Sequence, residues 1–297
     1  MRLIAFLQLL RPHQWAKNLL VFVALITSHS WGSAQAWAGA CAGFVALCLL
    51  ASAGYALNDA LDVERDRAHP EKCRRPIASG AVPRWWGWLS AVVLAALPFV
   101  GIGLLMRAPT SLGFGGALLF ALPAYLAGTV GYSLWLKRVA IADVCALSLL
   151  YVLRIVAGAG AIEVPISPWL LAFAGFVFLS LAMVKRVVEY QDRGDAAADA
   201  RPYRSDDLPL LEAAGIAAAL CSVLVLALYT QSADVRLLYT QPDLVFLLCP
   251  VMLYWLLRVW LRARRRQLPG DPVLFAIKDG ASWLCAGLML LVVLWAI

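Results

Sequence analysis

Residues 58–80 gather the chemistry of this chain: Asn58, Asp59, Asp62 and Asp66, then Lys72, Arg74 and Arg75, closing on Pro76-Ile77-Ala78-Ser79-Gly80. Spacings of three and four place Asp59, Asp62 and Asp66 on one face of a helix, with Asn58 beside them. Carboxylates packed together repel unless a cation lies among them. Hard oxygen ligands of this kind suit Mg²⁺, which commonly completes its shell with phosphate oxygens. The expected set is Asp59, Asp62 and Asp66 on the metal, with Asn58 supplying a neutral oxygen or orienting a carboxylate. Lys72, Arg74 and Arg75 follow within one loop and can take the remaining phosphate charge; His69 reads as a loop residue or phosphate contact. A solvated, salt-bridged loop beside Arg65 and Arg67 is the plain alternative. A metal–diphosphate site at a membrane surface accounts for more of the pattern, because carboxylates at the end of an apolar span are costly unless compensated.

The elements that must carry these residues are almost all apolar. Of 297 residues, 63% are hydrophobic and 14% charged, where soluble domains carry about 25% charged residues. The apolar blocks approach the ~20 residues that cross a bilayer and predict nine spans, at roughly 19–36, 38–57, 86–106, 112–134, 141–162, 168–187, 208–231, 241–261 and 273–296. Backbone groups in lipid must pair within their own segment, so the spans are predicted to be helices. The fold expected is all-α, a polytopic membrane protein with one bundle around a cytoplasm-facing, lipid-open cavity. No linker divides residues 1–297, which points to a single domain. Leu3, Phe6, Leu7 and Leu10 recur at helical spacing and outline either an interfacial amphipathic helix before the first span or a simple extension of that span. Ser33-Ala34-Gln35-Ala36 resembles a signal cleavage site, but the polar stretch before it is too long for a signal peptide.

Lys and Arg concentrate in loops 58–85, 135–140, 185–207 and 258–272, which predicts these loops and the N-terminus to be cytoplasmic in the inner (plasma) membrane, with the C-terminus outside. The net charge of +7 is thus mainly topological, and its division among loops argues against nucleic acid. Seven cysteines without CxxC pairing give no zinc or disulfide framework. Arg154 lies mid-span, where an arginine costs at least ~2.5 kcal/mol, so it is expected to face the interior and an anion. Asp143 reads as the partner of some other cation. Lys17 and Asn18 open the first span; Lys137-Arg138 and Lys185-Arg186, with Glu189 beyond, lie on the same side as the acidic cluster. The run Arg258, Arg262, Arg264, Arg265 and Arg266 reads as topological, and Lys278-Asp279 as a pair that either bonds or faces the site.

Asn58-Asp59-x-x-Asp62-x-x-x-Asp66, continued by Lys72 and Arg75-Pro76-Ile77-Ala78-Ser79-Gly80, resembles the first aspartate-rich motif of the UbiA superfamily of intramembrane prenyltransferases. Tyr132-Ser133-x-x-Leu136-Lys137-Arg138 resembles its central motif. A finer likeness, to the branch that transfers phosphoribose onto polyprenyl (decaprenyl-type) phosphates, rests on Arg11-Pro12-His13-Gln14-Trp15-Ala16-Lys17-Asn18, Leu153-Arg154-Ile155-Val156-Ala157-Gly158, Lys185-Arg186-x-x-Glu189 and Asp271-Pro272-Val273-x-Phe275-Ala276-x-Lys278-Asp279. Where aromatic prenyltransferases carry a second aspartate-rich motif, this chain has Lys185-Arg186-Val187-Val188-Glu189, followed by Asp192 and Asp195. The resemblance implies a Mg²⁺-dependent transferase taking phosphoribosyl diphosphate and a polyprenyl phosphate for cell-envelope glycan precursors, with Asp59, Asp62 and Asp66 catalytic. Lys17, Asn18, Asn58, Lys72, Arg75, Tyr132, Lys137, Arg138, Arg154, Lys185, Arg186 and Glu189 are the substrate-binding candidates. The alternative it carries is Mg²⁺-dependent polyprenyl transfer to an aromatic acceptor of the 4-hydroxybenzoate type. Homo-oligomer formation is compatible with the sequence and not specified by it.

Overall fold

The computed structural model describes residues 3–68, 72–108, 113–193, 202–268 and 270–297. Every regular element among them is helical, as the apolar blocks predict. The α-helices are α1 (Leu3–Leu10), α2 (Phe22–Thr27), α3 (Ala34–Leu61), α4 (Val63–Arg67), α5 (Arg84–Arg107), α6 (Gly116–Leu134), α7 (Ala142–Ala161), α8 (Pro168–Arg193), α9 (Leu208–Thr230), α10 (Ala233–Leu238), α11 (Leu248–Arg264), α12 (Pro272–Lys278) and α13 (Gly280–Ala296). Among the described residues seven helices are long and apolar enough to cross a membrane, or eight if α12 and α13, bent by 81°, count as one span. The ninth expected span, 19–36, is instead a 3₁₀ segment Pro12–Val21, the six-residue α2 and a turn with His29 at φ 54°. Hydroxyl groups cluster at the end of α2. Thr27 Oγ1 donates to the Val23 carbonyl at 3.0 Å, and the Ser28 and Ser30 hydroxyls bond each other at 2.8 Å, so side chains compete with the helical ladder.

The chain groups into two compact units, Met1–Trp135 with Leu153–Ile166, and Leu136–Val152 with Ser167–Ile297. In the first, α3 is the central element. Ser33 caps it by accepting from the Ala36 amide at 3.2 Å, and its Ala- and Gly-rich surface lets α5, α6 and the 3₁₀ segment pack against it. Helix α1 buries Ala5 and Leu9 against Ala56, Ala60, Val63, Ile77 and Val82, with Phe6 edge-on to Trp86. Leu7, on the stripe expected to meet the membrane interface, is exposed. A helix apolar nearly all round fixes no single face in advance. In the second unit α8 packs along α9, and α11 touches α8, α9 and α13.

Candidate active site

At the end of α3, Ser52, Tyr55 and Asp59 follow one another at helical spacing on one face. Asp59 is 1% exposed. Its Oδ1 accepts from Arg11 Nη2 at 2.6 Å and from Arg75 Nη1 at 3.2 Å. Arg75 Nη1 also donates to Asp66 Oδ2 at 2.6 Å, so one guanidinium bridges two buried carboxylates. Asp59 Oδ2 is buried and accepts no hydrogen bond. The helix does not run through the cluster unbroken. Asp62, at φ −94° and ψ 14°, ends α3 and begins α4, its amide donating to the Asn58 carbonyl at 2.9 Å. The single face drawn through Asp59, Asp62 and Asp66 is thereby bent at its middle member, and Asp62 lies 3.6 Å from Arg65 Nη1. Arg75 is delivered by a tight loop in which its amide donates to the Lys72 carbonyl at 2.9 Å and Val82 N to the Pro76 carbonyl at 2.9 Å. Buried Ile77 and Val82 anchor that loop in the α1–α3 core. Lys72 and Asn58 are half-buried; His69 lies outside the described residues.

Among the described residues no three His, Cys, Asp or Glu side chains are gathered to hold a metal on their own. Asp59 with its open Oδ2, and Asp62 one turn on, supply two hard carboxylates. That donor set fits Mg²⁺, which is typically bound by one or two carboxylates with substrate phosphates and water completing the octahedron. Asp66, committed to Arg75, orients that arginine.

A second cluster of the first unit surrounds Arg154. This buried guanidinium donates from Nε to Asn18 Oδ1 at 2.9 Å and from Nη2 to the Tyr125 hydroxyl at 2.9 Å, and lies 4.8 Å from the Tyr125 ring centre. Asn18 Nδ2 in turn reaches Cys48 Sγ at 3.3 Å. Lys17 is buried next to it. The approach of α7 to the 3₁₀ segment depends on Gly158, where a Cβ would fall 2.1 Å from the Val21 carbonyl oxygen.

In the second unit, Asp143 is wholly buried. Its Oδ2 lies 2.9 Å from Arg186 Nε and its Oδ1 accepts from the Tyr203 hydroxyl. Arg186 Nη1 also pairs with Glu189. The Tyr203 oxygen accepts from the Ile141 amide at 2.9 Å. Burial, and next the adjoining Asp143 carboxylate, push the Tyr203 hydroxyl well above the ordinary tyrosine value, so it stays a donor. Lys185 Nζ meets Asp271 Oδ2 at 3.1 Å, and the same Asp271 caps α12 through the Val273 amide. Arg258, read above as topological, binds Asp279 through both terminal nitrogens at 2.6 and 2.9 Å, at the bend between α12 and α13. Tyr132 and Lys137 are half-buried and Arg138 exposed. The stretch 189–207 is described except for residues 194–201, which include Asp195.

Arg11, Tyr125, Tyr203 and Asp271 were not among the sequence candidates. Arg11 and Asp271 belong to motifs quoted for the family likeness; an aromatic mid-span such as Tyr125 carries no signal of its own.

The chain matches the UbiA prenyltransferase family over residues 19–278. It belongs to that family and is an integral membrane protein. It is 37% identical over 94% of its length to an uncharacterized protein, y4nM, of Sinorhizobium fredii, of which it covers 53%. It is 34% identical over 93% of its length to the nodulation protein NoeC of Azorhizobium caulinodans, covering 87% of that protein. Over 61% of its length it is 38% identical to a decaprenyl-phosphate phosphoribosyltransferase of Mycolicibacterium smegmatis, covering 55% of it. The chain thus spans about half the length of two of these relatives. A UbiA homologue of Archaeoglobus fulgidus, solved with GPP and Mg²⁺, superposes with a TM-score of 0.70 over 97% of this chain and 99% of its own, at 17% identity, a likeness of fold.

Proposed function

We propose that this chain transfers the 5-phosphoribosyl group of phosphoribosyl diphosphate to a polyprenyl phosphate, releasing diphosphate. The observation that carries this reading is the 38% identity to a decaprenyl-phosphate phosphoribosyltransferase. The cationic end of α8 agrees with it, since Lys185 and Arg186 stand where aromatic prenyltransferases of the superfamily have a second acidic motif. In the reaction, a lipid-phosphate oxygen bonds to the anomeric carbon as the carbon–oxygen bond to diphosphate breaks. A phosphate monoester is ionised at pH 7, so no general base is required. Catalysis then rests on positioning and on neutralising the departing diphosphate. Asp59 and Asp62, with Asn58, would hold Mg²⁺, whose chemistry when bound is to neutralise diphosphate oxygens. Arg75, positioned by Asp66, and Lys72 serve the diphosphate; Lys17, Arg154, Lys185 and Arg186 provide further cationic groups for the two substrates' phosphates. Tyr132, Lys137 and Arg138 are further substrate-binding candidates, and Glu189, paired with Arg186, orients it. Placing these residues on the cytoplasmic side of the inner membrane follows from the Lys and Arg distribution.

The family description, a prenyltransferase family, agrees with a second reading, for which we propose polyprenyl transfer from a polyprenyl diphosphate to an aromatic acceptor. One experiment separates the two. Purified protein, Mg²⁺, radiolabelled phosphoribosyl diphosphate and polyprenyl phosphate should yield labelled lipid in the organic phase, and Asp59→Asn should abolish it. Absence of labelled lipid, with prenylation of 4-hydroxybenzoate from polyprenyl diphosphate, would establish the second reading.

A further inference from the structure

Three carboxylates, Asp59, Asp62 and Asp66, are met by three guanidiniums, Arg11, Arg65 and Arg75. Among the described residues these six charges cancel. Arg11 reaches it by an unfavourable route. Its backbone is left-handed, at φ 51° and ψ 60°, although it carries a β-carbon and precedes Pro12, both of which disfavour that conformation. Such strain persists only where its surroundings enforce it, and it concentrates at functional sites. Here Ser52 enforces it. Its hydroxyl donates to the Leu10 carbonyl at 2.9 Å and accepts from Trp15 Nε1 at 3.0 Å, gripping the chain on both sides of Arg11. The guanidinium then lies 4.9 Å from the Tyr55 ring centre and bonds Asp59, one and two turns along the same face of α3.

The remaining Asp59 oxygen is buried and unpaired, which marks a place for one more cationic partner. A divalent ion arriving there with both arginines in place would leave the cluster two positive charges in excess, a costly state away from bulk water. A diphosphate carried with the ion removes that excess and offers both guanidiniums oxygens to bind. We propose that Arg11 and Arg75 close this site to a free divalent ion and admit it only together with a diphosphate, the two arginines then turning from Asp59 to the diphosphate. Arg11 is thus a substrate-binding residue that makes metal uptake depend on the diphosphate. This rests on the assignment of Asp59 to the metal under the proposed function.

Equilibrium dialysis against ⁵⁴Mn²⁺, with and without inorganic diphosphate, tests it without any turnover. Detergent-solubilised wild type should retain ⁵⁴Mn²⁺ when diphosphate is present and about tenfold less tightly when it is absent. Arg11→Met should bind the ion alone about tenfold more tightly than wild type and depend less on diphosphate, whereas Arg11→Lys, which keeps the charge, should resemble wild type. Equal retention by wild type with and without diphosphate, abolished by Asp59→Asn, would overturn the proposal and leave the metal assignment standing. An Arg11→Met protein no tighter for the ion alone would remove Arg11 from this role. Retention under neither condition would overturn both the proposal and the metal assignment. The wild-type comparison decides the main point even if a variant fails to fold.

Discussion

Asp143→Asn is the substitution whose consequence is largest for the change made. The side chain keeps its shape but loses its charge away from bulk solvent: Asp143 is 0% and the Arg186 side chain 1% exposed. Breaking a buried ion pair from one side typically costs about 3–5 kcal/mol, because the surviving charge stays buried without compensation. Glu189 remains beside Arg186, which places the expectation near the lower end, about 3 kcal/mol. Weakening of the Tyr203 hydrogen bond, which loses its charged acceptor, adds about 1 kcal/mol. Unfolding of the purified protein in mixed micelles by titration with dodecyl sulfate would measure the loss. A double variant separates uncompensated charge from lost packing. Asp143→Leu with Arg186→Met replaces the pair by apolar groups, which is often near neutral for buried pairs, so it should be clearly more stable than Asp143→Leu alone. Asp143→Asn within about 0.5 kcal/mol of wild type, the scatter of inert surface changes, would refute the claim that Arg186 depends on Asp143 to compensate its buried charge. So would a double variant no better than the single one.

The raised ionisation of Tyr203 has a definite sign. A group that holds its proton more firmly folded than unfolded contributes stability that is complete below the unfolded value and lost as pH rises through the folded one. Wild-type stability should thus be unaffected by this group up to about pH 10, the ordinary tyrosine value, and fall above it; Tyr203→Phe should lack that part of the alkaline loss, and parallel curves above pH 10 would contradict the Tyr203–Asp143 bond. Gly158→Ala forces a β-carbon against the Val21 backbone, where a contact of 2.1 Å cannot be relieved by rotating a side chain. It should destabilise by about 1–3 kcal/mol and weaken anionic-substrate binding through displacement of Asn18 from Arg154, whereas Gly101→Ala, with open space around it, should be silent; equal behaviour of the two would refute the close-packing argument.

What the sequence disclosed and what it hid divide along a physical line. Helix content, the acidic cluster and the inward placing of Arg154 all follow from local rules: apolar length, spacing of three and four, and the cost of charge in an apolar span; an anion was expected at Arg154, where the structure brings the neutral Asn18 and Tyr125. Asp143 was recognisable as a counter-ion for the same reason. The choice of partner was not local. Arg154 bonds Asn18 across 136 positions and Arg258 bonds Asp279 across 21, and no periodicity states which helices abut. The expected first span is not one regular helix among the described residues but a 3₁₀ segment followed by α2, a distinction that apolar length and hydropathy do not make. Arg11 was hidden more deeply. Local rules place a residue before proline in an extended conformation, which would carry its side chain along a different path. The left-handed turn is held by contacts with Ser52, Tyr55 and Asp59 of α3, which exist only once α3 is built. The residue on which metal uptake is argued to depend is therefore one whose conformation local preference opposes, consistent with strain being maintained at a working site by the packing around it.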